Sequence, residues 1–197
     1  MKKLIIASHN PGKVNEFKKQ TQDWPFEIFG LEEIGIKDDV EETGKTFQEN
    51  ALIKAKFAYK LAGLPTIADD GGFEIDFLNG EPGVKSRRWK GYPMTDQEMV
   101  DYTLEKLQGV PAEKRTARLK LVLCFISENK GPLFSEGAIE SIITEKQITP
   151  IIKGYPFRSI MLIPKFNKMF TDLSGEEHRE LNHRQSALNK LRLQIGI

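Results

Sequence analysis

Residues 4–22 read LIIASHNPGKVNEFKKQTQ, a short apolar run followed by a polar turn and then a stretch of helical character. The run at 4–8 predicts a strand, and residues 13–22 predict a helix. A strand, a loop and a helix in this order commonly present backbone N–H groups to an anion. This stretch therefore indicates an α/β protein with a candidate anion-binding turn near its start.

The rest of the sequence continues the alternation of strands and helices. The clearest helix is predicted at 46–63, where Thr46 and Glu49 form a capping box and Gly63 can end the helix. The other predicted elements are strands at 26–31, 65–70 and 73–78, a turn at 79–83, a helix at 95–110, a hairpin of RLKLVLCFIS and SEGAIESIIT joined by ENKGPLF, a short strand at MLIP, and one amphipathic helix at 174–195. This pattern predicts an α/β fold with a mixed sheet.

The composition is that of a globular protein, and we expect one domain over residues 1–197. The residues are 39% apolar and 29% charged, and the net charge of +1 does not suggest nucleic acid or an anionic membrane as a partner. Cys124 is the single cysteine, which excludes an internal disulfide and fits a reducing cytosol. The N-terminal apolar run is too short for a signal peptide, so we expect a cytoplasmic protein.

The turn SHNPGK is the first candidate site. Ser8, Asn10 and Lys13 supply a hydroxyl, an amide and an ammonium beside open backbone donors, and such groups suit phosphate oxygens. The spacing is not that of a P-loop, and an ordinary strand-to-helix turn is the alternative.

The segment ADDGG at 68–72 is a sharper candidate. Asp69 and Asp70 are predicted at the end of an apolar strand, where carboxylates can hold Mg²⁺ or accept a proton from water. A turn capped by aspartates is the alternative. Lys54 and Lys56 lie in the helix that precedes this strand, and they cannot share a face, so at most one of them points into a site.

Two further stretches carry charges whose role the residues alone leave open. In KGYPFRSIMLIP, residues 153–164, Arg158 follows an aromatic residue and precedes an apolar run, so it is either a surface charge or a ligand contact. In LNHRQS, His183 and Arg184 are adjacent, which is a weak signal that also fits a solvated helix face. The three histidines lack the spacing of a zinc site.

Taken together, these segments resemble the inosine triphosphate pyrophosphatase family, which acts on noncanonical purine nucleoside triphosphates. The family patterns are [ST]-x-N-x-x-K, found at 8–13; E-E-T-G-x-T-F-x-E-N-A-x-x-K-A, matched at every fixed position of 41–55; A-D-D-S-G-L-x-V-D, found at 68–76 with Gly71 for the serine; and P-G-x-x-S-x-R, found at 82–88. The order and spacing of the matches extend over the whole chain.

The resemblance implies a two-lobed α/β fold with a long mixed central sheet flanked by helices, a cleft between the lobes, and a homodimer. It implies Mg²⁺-dependent hydrolysis between the α and β phosphates, which gives a nucleoside monophosphate and pyrophosphate. By position, the family roles fall on Ser8, Asn10, Lys13 and Lys54 for the phosphates, on Glu41 and Asp70 for Mg²⁺, on Asp70 as the base that activates water, and on Asp69 as its support.

The base-reading part of the family pattern is altered. The family has G-[FW]-G-Y-D-P-x-F-x-x-P where this chain has 154–164, so Tyr155 and Phe157 stay aromatic while Arg158 replaces an aspartate. In the last motif, E-K-N-x-x-S-H-R, the His-Arg pair is retained and His178 replaces the lysine. The resemblance therefore implies that the base is bound by Tyr155, Phe157, Arg158, His178, His183 and Arg184.

Three functional readings follow. The first is a Mg²⁺-dependent nucleotide pyrophosphatase that either keeps a preference for noncanonical or modified purines or has a changed base specificity, since Arg158 favours hydrogen-bond acceptors. The second is a nucleotide-binding regulatory protein without turnover, which the retained carboxylates disfavour. The third is nucleic-acid binding by the basic C-terminal segment, and the glutamates interleaved with its basic residues disfavour it.

Overall fold

One mixed seven-stranded sheet forms the centre of the fold in the computed structural model, which describes residues 2–197. The strands are β1 (Lys2–Ile6), β2 (Phe26–Gly30), β3 (Thr66–Ile75), β4 (Thr116–Ser127), β5 (Lys130–Ile143), β6 (Met161–Ile163) and β7 (Lys168–Met169), and the helices are α1 (Pro11–Gln20), α2 (Phe47–Ala62), α3 (Asp96–Lys106), α4 (Gly175–Glu180) and α5 (His183–Ile195). The strand order is β2-β1-β3-β4-β5-β6-β7. Strand β1 is parallel to β2 and β3, whereas β6 is antiparallel to β5 and β7. The predicted α/β fold with a mixed sheet is confirmed.

The chain divides into two compact units, as the two-lobed fold predicts. The first unit comprises residues 1–71, 121–137 and 183–197, of which Met1 is not described, and the second comprises 72–120 and 138–182. Each unit has its own apolar core. That the whole chain is one domain stays a prediction. None of the helices formed by residues 2–197 has the length and apolar character needed to cross a membrane.

Strand β1 shows how the first unit buries apolar residues on both faces of its part of the sheet. Side chains alternate along a strand, so Leu4 and Ile6 point to one face and Ile5 to the other. Leu4 and Ile6 pack with Phe17 of α1 and with apolar residues of α5, whereas Ile5 packs with the alanines of α2. The buried Cys124 of β4 belongs to the same cluster as Ile5. The strand therefore has no solvent-exposed face at its centre.

The capping signals in the sequence place the helix ends correctly. In α2, Thr46 Oγ1 accepts a hydrogen bond from the Glu49 N–H at 3.1 Å, and Glu49 Oε2 accepts one from the Thr46 N–H at 3.2 Å. Gly63 ends the helix with a φ of 62°, a left-handed conformation that favours glycine. Helix α3 begins with the same kind of capping box.

The predictions of the two strands around Gly71, of the hairpin turn and of the C-terminal helix are wrong in detail. The two strands predicted at 65–70 and 73–78 are one continuous strand, β3, because Gly71 and Gly72 stay extended within the sheet instead of forming a turn. Asp69 and Asp70 therefore lie inside a strand and not at its end. The hairpin turn is also shorter than predicted, since β4 ends at Ser127 and β5 begins at Lys130.

The helix predicted at 174–195 is divided into α4 and α5. Helix α4 ends at Glu180, with the N–H of Leu181 bonded to the carbonyls of Glu177 and Arg179. Asn182 then precedes α5, and asparagine is among the residues preferred just before a helix. The amphipathic pattern continued across this interruption, so periodicity alone did not reveal it.

Candidate active site

Asp69 of β3 is a buried carboxylate that lies between two cations. Its side chain is 3% exposed, and Asp69 Oδ1 accepts a hydrogen bond from Lys13 Nζ at 3.0 Å. Its other oxygen, Oδ2, is 3.6 Å from Arg184 Nη2. A buried carboxylate requires such partners because desolvation of an unpaired charge is costly. Asp69 thus joins the turn before α1 to the start of α5.

Asp70 is the neighbouring carboxylate, and it contacts a different set of groups. Asp70 Oδ1 is 3.4 Å from Lys54 Nζ, and the Asn50 amide donates a hydrogen bond to the carboxylate. Lys54 Nζ is also 2.8 Å from Glu42 Oε1. Successive side chains of a strand point to opposite faces, which explains why Asp69 and Asp70 do not share partners.

The surroundings of Asp70 and Lys54 change the proton affinity of both groups. Burial raises the pKa of Asp70 above its ordinary value, although Lys54 and the Asn50 hydrogen bond act in the opposite direction. For Lys54, burial lowers the pKa, but the nearby Asp70 and Glu42 carboxylates outweigh it, so the pKa is raised. Lys54 therefore stays an ammonium, while Asp70 is a stronger proton acceptor than an exposed aspartate.

Asn50 is a site residue that sequence reasoning missed. It is 3% exposed, and its Oδ1 accepts a hydrogen bond from the Gly44 N–H at 2.8 Å, which directs its amide nitrogen toward Asp70. A Cβ on Gly44 would lie 2.6 Å from Asn50 Oδ1, so only glycine fits there. Asn50 and Lys54 are one helical turn apart and share a face of α2, a spacing that could have identified the pair.

The turn SHNPGK is more closed than predicted. The Asn10 N–H donates to Ser8 Oγ at 3.1 Å, and the N–H groups of Gly12 and Lys13 donate to Asn10 Oδ1 at 2.9 and 3.2 Å. The expectation of open backbone donors is therefore wrong for these three amides, because Asn10 acts as the N-cap of α1. The Ser8 hydroxyl can still donate one hydrogen bond, and the Lys13 ammonium has further donors.

The acidic segment before α2 places its two glutamates differently. Glu41 is exposed on irregular backbone, and Glu42 is the one that pairs with Lys54. Within residues 2–197, no group of three or more His, Cys, Asp or Glu side chains is arranged to hold a metal ion. The assignment of Glu41 and Asp70 as metal ligands stays a prediction.

Arg184 and His183 lie at the start of α5 in the first unit. Arg184 Nη1 bonds to Glu16 Oε2, and its guanidinium carbon is 5.2 Å from the centre of the Phe17 ring. The backbone of His183 lies against strand β5, because a Cβ on Gly137 of that strand would be 2.0 Å from the His183 carbonyl oxygen. Arg184 thus belongs to the charged group around Asp69, and its predicted contact with the base stays a prediction.

In the second unit, the two aromatic residues of the altered motif have different environments. Tyr155 is 53% exposed. Phe157 is 8% exposed and stacks on Phe73, with ring centres 4.5 Å apart and an angle of 12° between the ring planes. Tyr155 is therefore available to a ligand, whereas Phe157 is largely a core residue.

Arg158 packs between aromatic rings. Its guanidinium carbon is 3.9 Å from the centre of the Tyr155 ring and 5.0 Å from that of Phe170. The Phe170 ring in turn contacts the His178 ring edge-on, at 4.9 Å. The structure brings together Tyr155, Arg158 and His178 through Phe170, which the motif comparison did not include. We call these four residues the aromatic cluster.

Comparison with known proteins places this architecture in one family. A sequence model described as the Ham1 family matches residues 4–194. The chain is 38% identical over 191 residues to the dITP/XTP pyrophosphatase of Bacillus subtilis, with 97% of this chain and 96% of the relative covered. It is 40% identical over 194 residues to that of Photobacterium profundum, with 97% and 96% covered. The chain belongs to the Ham1 family.

A solved Ham1 structure supports the same conclusion for the fold. The Ham1 protein of Staphylococcus aureus superposes with a TM-score of 0.86 at 33% identity, over 99% of this chain and 98% of that one. Of the residues at which the chain departs from the motifs that it resembles, Arg158 and His178 lie in the aromatic cluster, whereas Asp69 and Asp70 keep the motif residues.

Proposed function

We propose that this chain hydrolyses a nucleoside triphosphate between its α and β phosphates with the help of Mg²⁺, and that it releases a nucleoside monophosphate and pyrophosphate. Membership of the Ham1 family and full-length identity to enzymes named dITP/XTP pyrophosphatase identify the chain as a nucleoside triphosphate pyrophosphatase. The observation that carries the proposed mechanism is the partly buried pair of Asp70 and Lys54, a proton acceptor next to a permanent cation.

We propose that Asp70 supplies an oxygen ligand to a magnesium ion. Mg²⁺ is commonly held by one or two carboxylates together with waters and substrate phosphates. Asp70 is 13% exposed and can supply such an oxygen, whereas Asp69 is already enclosed by its two cations. Glu41 is the second proposed ligand. The bound ion would neutralise phosphate charge and polarise the phosphoryl oxygens.

The protein groups supply the remaining chemistry. Lys13, Lys54, the Ser8 hydroxyl and the side-chain N–H groups of Asn10 hold phosphate oxygens, while Asn10 Oδ1 fixes the turn that carries Ser8 and Lys13. Lys54 keeps its charge throughout because its pKa is raised. Asp70 accepts a proton from the attacking water, and Asp69 keeps Lys13 in place through their 3.0 Å contact. A triphosphate carries about four negative charges, so it takes several cations together to neutralise them.

We further propose that the base preference differs from that of the relatives. Their motif has an aspartate where this chain has Arg158, and a guanidinium donates hydrogen bonds where a carboxylate accepts them. Base edges rich in carbonyl groups should therefore be favoured, with Tyr155 available for stacking. We also propose that His178, His183 and Arg184 contact the base, because they lie at the positions of the last family motif.

The test is pyrophosphate release from a panel of purine, pyrimidine and modified nucleoside triphosphates, with and without Mg²⁺. We expect Mg²⁺-dependent turnover that Asp70→Asn lowers by about 100- to 10,000-fold, the range for loss of a general base. Binding without turnover would instead identify a nucleotide-binding regulatory protein. Because xanthine is itself rich in carbonyl groups, the result that would contradict the changed base preference is inosine triphosphate as clearly the best substrate. A homodimer and a cytosolic location are further expectations from the family, and sedimentation would test the first.

A further inference from the structure

Asp96, the first residue of α3, joins two segments of the second unit that correspond to family motifs, one retained and one altered. Its Oδ2 accepts a hydrogen bond from the Gly154 N–H at 2.7 Å, and its Oδ1 accepts one from Arg87 Nη1 at 2.5 Å. Arg87 lies in the segment 82–88, and Gly154 begins the segment 154–164. One carboxylate thus fixes a backbone group of the segment that carries Tyr155 and Arg158.

The helix does not need Asp96 as its cap. Thr95 Oγ1 accepts the Glu98 N–H at 3.2 Å, and Glu98 Oε2 accepts the Thr95 N–H at 2.7 Å, so the capping box is complete without it. A negative charge in the first turn adds only a small, screened dipole interaction. The two hydrogen bonds of Asp96 therefore serve the contacts between segments.

The segment that Asp96 contacts is a tight turn with an exposed aromatic residue next to it. The Tyr155 N–H donates to the Ile152 carbonyl at 2.8 Å, and Gly154 has a φ of 86°, a left-handed conformation that favours glycine. The Gly154 N–H points to a charged acceptor, and such bonds are stronger than those between neutral groups. Loss of this acceptor would leave the direction of Tyr155 and of the following Arg158 less well defined.

We propose that Asp96 is a positioning residue for base selection: it holds the 152–155 turn so that Tyr155 and Arg158 meet the base in one arrangement, and it does not touch the substrate. This inference rests on the proposed function, in which those two residues contact the base. The chemical class recognised is the base of a nucleoside triphosphate, and the phosphate contacts in the first unit are not involved.

The experiment compares Asp96→Ala and Asp96→Asn in the full-length protein with Asp101→Ala as a matched control. Asp101 lies on the same helix, is exposed, and contacts only a neighbouring glutamine among the hydrogen bonds described for residues 2–197. For Asp96→Ala, we expect the ratio of kcat/KM between the best and the poorest nucleotide to fall about ten-fold, chiefly through KM, because the charge-assisted bond to Gly154 is lost together with the contact to Arg87. Asp96→Asn keeps an acceptor for Gly154 and should retain most of the ratio.

Amide hydrogen exchange gives a second readout that does not depend on turnover. We expect faster exchange at Gly154 and Tyr155 in Asp96→Ala than in the wild type or in Asp101→Ala. Unchanged exchange would overturn the inference, and so would equal losses of activity on every nucleotide, which mark a purely structural role. If the wild type hydrolyses no nucleoside triphosphate, the proposed function fails, and the selectivity ratio is then taken from dissociation constants of the same nucleotides.

Discussion

The first unit contains a charged group formed by Lys13, Lys54, Asp69, Asp70 and Arg184. It is built on different interactions from the aromatic cluster of the second unit. Around Asp69 and Asp70, each cation contacts a carboxylate, and Asp69 and Lys54 each contact two opposite charges, so removing one partner weakens the compensation of a charge held largely away from water. In the aromatic cluster, Arg158 lies over the rings of Tyr155 and Phe170. The two regions also differ in sequence: the segments for which we propose phosphate contacts keep the motifs that the chain resembles, whereas the segment for which we propose base contacts departs from its motif at Arg158.

The largest expected effect separates the two aromatic residues of the altered motif. Phe157→Ala removes a buried ring that stacks on Phe73, so we expect a loss of about 3–5 kcal/mol in the free energy of unfolding, the usual cost for a core phenylalanine. Tyr155→Ala, the matched control, removes a ring that is half exposed and should cost about 1 kcal/mol or less while raising KM. Urea denaturation measures both, and equal losses would contradict the assignment of different roles.

The next effect concerns the charged group. Lys54→Met should lower kcat/KM by about 100- to 1000-fold, because a partly buried cation that we propose to hold phosphate is lost. Lys56→Met on the same helix is the control, since Lys56 is exposed and lies off the Lys54 face. Steady-state pyrophosphate release measures the difference. Similar activities for the two variants would show that Lys54 does not hold phosphate.

Arg158→Asp restores the residue of the family pattern and tests the aromatic cluster. We expect the preference between inosine triphosphate and the best substrate of the wild type to shift by about 10- to 100-fold, with the maximal rate on the favoured nucleotide changed little. Lys114→Asp makes a charge reversal at an exposed position of the same unit, outside the 152–164 segment, and should leave the preference unaltered. An unchanged order of substrates in Arg158→Asp would show that Arg158 does not read the base.

The smallest effect concerns stability and pH. Burial raises the pKa of Asp70, so between its ordinary value and the raised value the folded protein binds a proton that the unfolded chain has lost. Stability therefore falls as pH rises through this window. Asp70→Asn has no carboxylate to titrate, so the Tm of this variant relative to that of the wild type should rise as the pH rises through this window. Thermal unfolding of both proteins from pH 3 to pH 7 measures the effect, and a constant difference in Tm would contradict it.

The helices and most strands could be predicted because their signals are local. The capping box of Thr46 and Glu49 needs only four consecutive residues to be recognised. Gly71 and Gly72 misled the prediction, because glycine pairs favour turns locally while the neighbouring strands keep them extended. The break before α5 was missed for a similar reason, since apolar periodicity did not reveal the interruption.

The candidate site could be predicted as a set of residues but not as a set of contacts. The motif match named Asp69 and Arg184, yet their proximity depends on how β3 and α5 pack, over more than 100 residues of chain. No charge pattern in the local sequence distinguishes Asn50 or Asp96 as a residue of the site. An aspartate at the start of a helix is common, so its bond to Gly154 is visible only in three dimensions.

The burial of Cys124 gives the molecule a built-in reporter. Burial raises the pKa of its thiol to about 12, so at neutral pH almost none of it is the reactive thiolate. Because Cys124 packs in the core that carries Ala51 and Ala55 of α2, a thiol reagent can label it only when that core opens. As the chain has no other cysteine, the labelling rate measures how often the scaffold behind Asn50 and Lys54 comes apart.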